Sequence, residues 1–460
     1  MIADIRRVAI AGGGITAWSA AAALKRKLPM LDVLVVSSPP PPDALADRMV
    51  NTLPSIVEFH ADLGLSDEDT IVRAQSAVRL GTRFAGWSQD LPEYVHAYGS
   101  YGVPADGIPF HQLWLRDGQP KAYDSYSLGA ELGRAERLGP AATADAQCGY
   151  GLRLTLDRYG ELMRAYAQHL GATERPGHVA DVDIRDDGSV AAINLTDGQR
   201  IEADLFVDCT GPAARVRSRL PGRWESWTKW LLCDRVSVVD SAAQSDHSLL
   251  DAVSANANGW SARCATVFST AHAVGAEQGP AVALKQGRQA EPWARNCVAI
   301  GDAAMSVEPL EWTNLHLVHS QIDRLVAMMP GADCARVELA EYNRQCNAEA
   351  DRIRDFICMH YLTARRTEPF WNDAAAIEPP PSLAHSLALF AERGRLPYYE
   401  EETFTRDSWL AVLFGQGFFP RRVDPLAYAL PADEVARILR SCRDTVTGFT
   451  ASHLEQRARP

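Results

Sequence analysis

Three consecutive glycines, Gly12, Gly13 and Gly14, end a short apolar run and, through Ile15-Thr-Ala-Trp18, lead into an Ala-rich segment of helical composition at residues 19–28. Strand, glycine turn and helix in that order is the first unit of a dinucleotide-binding fold. Gly12 and Gly14 fill the first two positions of the G-x-G-x-x-G/A fingerprint. Ala17 fills the third, where a small side chain lets the helix sit close against the strand. Such a turn leaves the first amides of the helix bare, and the positive end of the helix dipole stabilises a phosphate there. A second candidate anchor follows roughly 290 residues later, where the apolar run 296–300 ends in Gly301-Asp302-Ala-Ala and opens another helix. Asp302 can accept a hydrogen bond from a sugar hydroxyl. Two anchors so far apart suit flavin adenine dinucleotide (FAD) better than a nicotinamide dinucleotide, whose site closes within one strand–helix–strand unit and its neighbour.

The elements that must position these residues are legible in outline. A second strand at 31–36 ends in Ser37-Ser38 and four prolines, residues 39–42. An acidic side chain ordinarily stands at that strand end to take both ribose hydroxyls, and Ser37 or Ser38 stands there instead. A serine cannot make the bidentate, charge-assisted pair, which predicts reduced grip on the adenosine side. Residues 179–184, 190–195 and 199–201, separated by Asp186-Asp-Gly188 and Thr196-Asp-Gly198, read as a β-meander with good turn chemistry. The run 203–211 then returns to the main sheet as a buried strand. The expected fold class is α/β: a doubly wound, Rossmann-like FAD-binding domain with an inserted β-sheet substrate region and a helical C-terminal cap. The expected boundaries are 1–223 for the flavin domain with its meander, continued at 296–330; 224–295 for the substrate-region sheet; and 331–460 for the cap. Breaks in the helical pattern are expected at 329–331 and 378–381.

Composition narrows the function classes. The chain has 460 residues and a net charge of −12, with no basic run, which argues against nucleic acid and anionic membrane as partners. Nine cysteines are scattered singly, without C-x-x-C or zinc spacing, as in a reducing cytoplasm. Arg6-Arg7 before an apolar stretch resembles an export signal, but the glycines within the apolar core and the immediate second strand argue against cleavage. Beyond it no segment has the apolar length of a membrane span. His316, His319 and Glu311 share helical spacing without a third and fourth ligand, so no metal is expected.

Across its length the chain resembles the flavin-dependent tryptophan halogenases. The resemblance is carried by residues 12–18, Arg79-Leu-Gly-Thr-Arg-Phe-Ala-Gly-Trp87, Phe110-His-Gln-Leu-Trp114, 204–211, 230–234, Gly301-Asp-Ala-Ala, Glu308-Pro-Leu-Glu311-Trp-Thr-Asn-Leu315 and 355–361. It implies that reduced FAD from a separate flavin reductase, oxygen and chloride or bromide generate hypohalous acid, which reaches a lysine and a glutamate beside a small aromatic substrate. The lysine position is Arg79 and the glutamate Glu311, the catalytic candidates. The halide-cradling amides fall at Thr313 and Asn314. His111, Trp114 and Glu311 are the implied substrate contacts. The implied cofactor set is Gly12, Gly13, Gly14, Ile15, Thr16, Ala17, Ser37, Val179, Gly301, Asp302 and Leu315.

Four departures accompany the resemblance. The lysine is arginine, and the Glu-Ser-Thr-Gly run is Glu311-Trp312-Thr313-Asn314. The Gly-Glu-Ala-Thr flavin loop reads Met49-Val-Asn-Thr52, and the Trp-x-Trp-x-Ile-Pro signature is reduced to Trp260-Ser-Ala-Arg-Cys-Ala265. Three functions therefore fit the sequence: an aromatic halogenase, a flavin oxygenase without halide chemistry, and a catalytically silent binding protein. A homodimer is compatible with all three.

Overall fold

The computed structural model describes residues 4–136, 149–240, 248–263, 266–271 and 281–456. Cys148, Cys264 and Ala265 lie outside the described residues. The chain forms two compact units, one from Met1–Ala77, Leu152–Lys229 and Val282–Arg352, the other from Val78–Gly151, Trp230–Ala281 and Ile353–Pro460.

The first unit is built on a six-stranded sheet whose order is Trp293–Ala294, Cys297–Ala299, Leu205–Asp208, Arg7–Ala11, Asp32–Ser37 and Thr173–Pro176. All neighbours are parallel except the edge strand Trp293–Ala294. The central strands read as unbroken Val, Ile, Leu and Ala runs because both faces of a parallel sheet are covered. Between Thr173–Pro176 and Leu205–Asp208 the chain makes the expected meander, with strands Val179–Ile184, Val190–Leu195 and Arg200–Glu202. Val179, Val190, Ile193 and Leu195 pack with Phe206 and Val216 in one apolar cluster. Asn296 pins the meander to the main sheet. It accepts from the Val190 amide at 2.8 Å and donates to the Val190 carbonyl at 3.0 Å and the Asp204 carbonyl at 3.2 Å.

The second unit has a sheet that runs, strand beside strand, through Arg235–Asp240, Thr266–Ala271, Gly259–Arg263, Leu250–Asn256, Gly81–Ala85 and Glu93–Ala97. The stretch expected to be continuous over 1–223 is therefore divided. Leu250–Asn256 pairs in parallel with Gly81–Ala85, so residues 78–151 group with the 230–281 strands. Residues 224–226 pair with 287–289, and 287–289 in turn with 305–306, in the first unit instead. Helices Pro369–Ala375, Pro381–Arg393, Arg406–Gly415 and Ala432–Gln456 complete the second unit, and the long helix Arg336–Leu362 carries the chain into it.

The Asn296 clamp yields a prediction. Asn296→Ala leaves the buried Val190 amide without its acceptor and should destabilise the first unit by about 2–3 kcal/mol. Denaturant unfolding would read this, and a change below about 0.5 kcal/mol would contradict it.

Candidate functional site

The glycine turn and the Gly301-Asp302 turn meet in the first unit. Gly14 is the N-terminal boundary residue of helix Ile15–Lys27, and residues 15–25 of that helix are all buried. Gly12 has φ +131° and its amide donates to the Val36 carbonyl at 3.0 Å, so the turn is held against the second strand. A Cβ on Gly12 would collide with the Cys209 carbonyl, and one on Gly13 with the backbone of Ser38. Here glycine is required by the close approach of neighbouring backbone. Gly301, with φ +65°, lies directly under Thr16: an added Cβ would stand 3.1 Å from both Thr16 Cγ2 and Val318 Cγ2. Its amide donates to Gln321 at 2.8 Å.

One loop bridges these turns. The Thr16 amide donates to Asp47 Oδ1 at 2.8 Å, and the Ala46 amide donates to Asp302 Oδ2 at 2.8 Å. Both carboxylates are buried. Burial pushes Asp47 up to about 6 despite the lowering effect of the Thr16 and Ile15 amides and the Thr16 hydroxyl. Burial first, then the charges of Asp47 and Asp43, push Asp302 up to about 8, against the lowering effect of the Ala46 amide. The donor set suits the dinucleotide: bare helix amides that already hold an anionic oxygen, and a buried carboxylate placed to accept from a hydroxyl. Asn51, fully buried in the Met49-Val-Asn-Thr52 loop, has no hydrogen-bond partner for either side-chain polar atom among the described residues. Thr52 anchors that loop by exchanging bonds with Leu152.

Other members of the expected cofactor set are spread around this frame. Ser37 ends the second strand, and its carbonyl accepts from Gly177 at 3.0 Å. Val179 begins the meander and packs in its apolar cluster. Leu315 is buried in helix Asn314–Ala327. Asp208, which the sequence reading placed only as a strand end, is the group that shapes the neighbouring turn. It accepts from Thr210 N and Oγ1 and from the Val216 and Arg217 amides at 2.7–3.0 Å.

Also in the first unit, Glu311 and Trp312 are buried and both adopt left-handed backbone, φ +68° and +62°. Two successive bulky residues in that region are costly, and such strain persists where surrounding structure holds it. They lead into helix Asn314–Ala327, whose N-terminus has no side-chain cap. Asn314 Nδ2 donates to the Val307 carbonyl at 2.9 Å, while Asn314 Oδ1 and Thr313 Oγ1 are buried without a partner among the described residues. His316 spans Ser55 Oγ at 2.7 Å and Glu349 Oε1 at 3.1 Å. Glu349, despite full burial, is held at about 2 by His316, Arg324 and Ser320. His319 stacks on Phe59. Among the described residues no group of three His, Cys, Asp or Glu side chains is arranged to hold a metal.

The remaining expected site residues lie in the second unit. Arg79 is wholly buried; its Nε donates to Asp251 at 2.6 Å, Nη1 to the Tyr98 hydroxyl, and Nη2 to Thr82 Oγ1 at 3.1 Å. His111 contacts the Gly394 carbonyl at 3.0 Å and is pushed down to about 4 by burial. Trp114 donates to the Lys121 carbonyl at 2.9 Å and packs on Tyr123 and Phe414. Neither lines the cavity of about 370 Å³ that Tyr398, Tyr399, Phe404, Trp409, Glu402 and Arg406 help to form. This cavity is not among the expected sites, although Tyr398-Tyr399 and the acidic residues beside them form an aromatic and charged cluster in the sequence. Trp260 is core, donating to the Tyr361 hydroxyl at 3.0 Å.

Comparison with known proteins fits this geometry. The family model described as "Tryptophan halogenase" matches residues 7–432. The chain belongs to the tryptophan halogenase family. A flavin-dependent halogenase of Brevundimonas sp. BAL3, BrvH, superposes with a TM-score of 0.89 at 31% identity, covering 99% of each chain. Xcc4156, a flavin-dependent halogenase from Xanthomonas campestris, superposes with a TM-score of 0.87 at 29% identity, over 98% of this chain and 96% of the other. The tryptophan 6-halogenase SttH of Streptomyces toxytricini is 25% identical over 490 residues, covering 93% and 92%. The family's fold, FAD cofactor and oxidoreductase chemistry come with this membership, as do a small aromatic substrate, halide and oxygen as reactants. Among the described residues no helix is long and apolar enough to cross a membrane, and no disulfide joins any cysteine.

The two buried carboxylates set a pH dependence. Their native pKa values lie above the ordinary 3.8, so the folded flavin-free protein keeps protons that the unfolded chain releases. Their contribution to stability is therefore full below about pH 4 and lost as pH rises to about 8. Thermal unfolding of flavin-free protein should give a lower Tm at pH 8 than at pH 5, and Asp302→Asn should flatten the trend. A Tm that rises over this interval, or an unchanged slope in Asp302→Asn, would contradict the assignment.

Proposed function

We propose that this protein halogenates an electron-rich aromatic molecule of indole type, with reduced FAD, oxygen and a halide ion. The observation that carries the reading is the buried, left-handed Glu311-Trp312 pair immediately before the uncapped N-terminus of helix Asn314–Ala327. Bound FAD supplies the reducing equivalents that let oxygen oxidise the halide. Gly12, Gly13, Gly14, Ile15, Thr16 and Ala17 seat its pyrophosphate side; Ser37, Val179, Gly301, Asp302 and Leu315 complete the cofactor surroundings. Thr313 and Asn314 offer a halide their backbone amides at the positive end of the helix. The ring carbon bonds to the halogen as the oxygen–halogen bond of the hypohalous acid breaks; Glu311 stabilises the resulting ring cation and then takes the ring proton, the oxygen leaving as water.

Arg79 stands at the family's lysine position and, as a guanidinium with pKa above ~12, offers no free amine. It acts here as a hydrogen-bond donor to the electrophile's oxygen. His111 and Trp114 support the substrate region through packing. A separate reductase supplies reduced flavin, since the sequence has no second glycine fingerprint, and a reducing cytoplasm suits the singly scattered cysteines. A second reading is favoured by the engagement of Arg79 with Asp251, Tyr98 and Thr82: oxygen consumption without halogen transfer.

Chemically reduced FAD, oxygen, bromide and an indole panel, with products read by mass spectrometry, should give slow bromination that exceeds chlorination. Arg79→Lys should raise the rate, and Glu311→Gln should lower it at least tenfold with FAD retained. Oxygen consumption without halogenated product in both wild type and Arg79→Lys would favour the second reading.

A further inference from the structure

The loop after the four prolines fills the cradle that the sequence prepares for phosphate. Leu45–Asp47 forms a single helical turn. The Asp47 carboxylate lies against Gly14, so closely that a Cβ added there would collide with it, and it takes the Thr16 amide at 2.8 Å. The preceding residue, Ala46, ties up Asp302. Two successive residues thus hold both groups the dinucleotide needs: an amide at the helix start and the carboxylate beside it. An anion at a helix N-terminus is stabilised by the dipole and by the orphan amides, which is the same stabilisation a pyrophosphate would draw on.

We infer that Asp47 is a resident competitor of the flavin pyrophosphate, occupying its seat in the flavin-free protein and leaving when the dinucleotide enters. The inference rests on the reading that FAD lies on the glycine turn. A phosphate oxygen accepting from the Thr16 amide requires the volume that Asp47 Oδ1 now fills, and two anions on one amide repel. Ala44, Leu45 and Met49 are fully buried, so the part that gives way is the Asp47 side chain and the loop stays packed. Asp47 thereby sets flavin affinity, adding to the missing acidic partner at Ser37, and makes FAD a readily exchanged ligand.

The test is titration of oxidised FAD, and separately of riboflavin, which has the same ring without phosphate, into wild type, Asp47→Gly and Asp47→Asn. Asp47→Gly should bind FAD roughly tenfold or more tightly, corresponding to the loss of one charged cap contact. Asp47→Asn should fall between the two, and riboflavin affinity should not change. If Asp47→Gly does not fold, Asp47→Asn decides. Unchanged or weaker FAD binding in the folded variants overturns the inference, as does an equal gain for riboflavin. Hydrogen exchange on the same samples separates the two levels. FAD protection over residues 12–20 without an affinity gain overturns the competitor alone, whereas FAD binding without that protection overturns the underlying placement.

Discussion

The first amides of helix Ile15–Lys27 are buried with the helix and point at a space that must contain an acceptor. An unmatched buried N–H costs about 1–3 kcal/mol, and the helix dipole adds preference for a negative one. Asp47 meets the demand at Thr16 within the chain itself. The requirement propagates outward: the Asp47 loop holds Asp302 through Ala46, Gly301 sits beneath Thr16, and the turn after Leu205–Asp208 is shaped by Asp208 through Thr210 and Val216. FAD is the family's cofactor, and a phosphate on the same amides is the arrangement proposed above.

A different electrostatic problem organises the second unit. Arg79, fully buried, would be strongly unfavourable without partners, and Asp251, Tyr98 and Thr82 supply them. Asp251 stands on the strand that pairs with Gly81–Ala85, so the ion pair and the parallel strand pairing reinforce one another. At this position a lysine would leave part of the same acceptor set, Asp251, Tyr98 and Thr82, unfilled, because one ammonium cannot reproduce the guanidinium fork.

Legibility in the sequence followed the range of the interactions. The glycine turn, the meander and the return strand were legible because backbone conformation and turn chemistry are local. The Val179–Ile184 and Val190–Leu195 strands lie where the turn residues placed them, and the third strand is displaced by one residue to Arg200–Glu202. The assignment of residues 78–151 to a sheet with 250–256 was not legible, since an alternating strand does not announce its partner. The same holds for side chains. Asp302 was visible as a strand-end acid, whereas Asp47 lies in an unremarkable stretch after prolines and matters only because folding lays it on Gly14. Arg79 was visible as an unusual residue at its position, but its buried partner lies 172 residues away.

Whether the glycine turn and the Gly301-Asp302 turn together hold FAD is decided most directly by a crystal structure of the protein with FAD bound. The expected result is pyrophosphate oxygens on the Ile15 and Thr16 amides, a sugar hydroxyl on Asp302, and the Asp47 carboxylate withdrawn from Thr16. FAD seated elsewhere, with Asp47 still on the Thr16 amide, would contradict it.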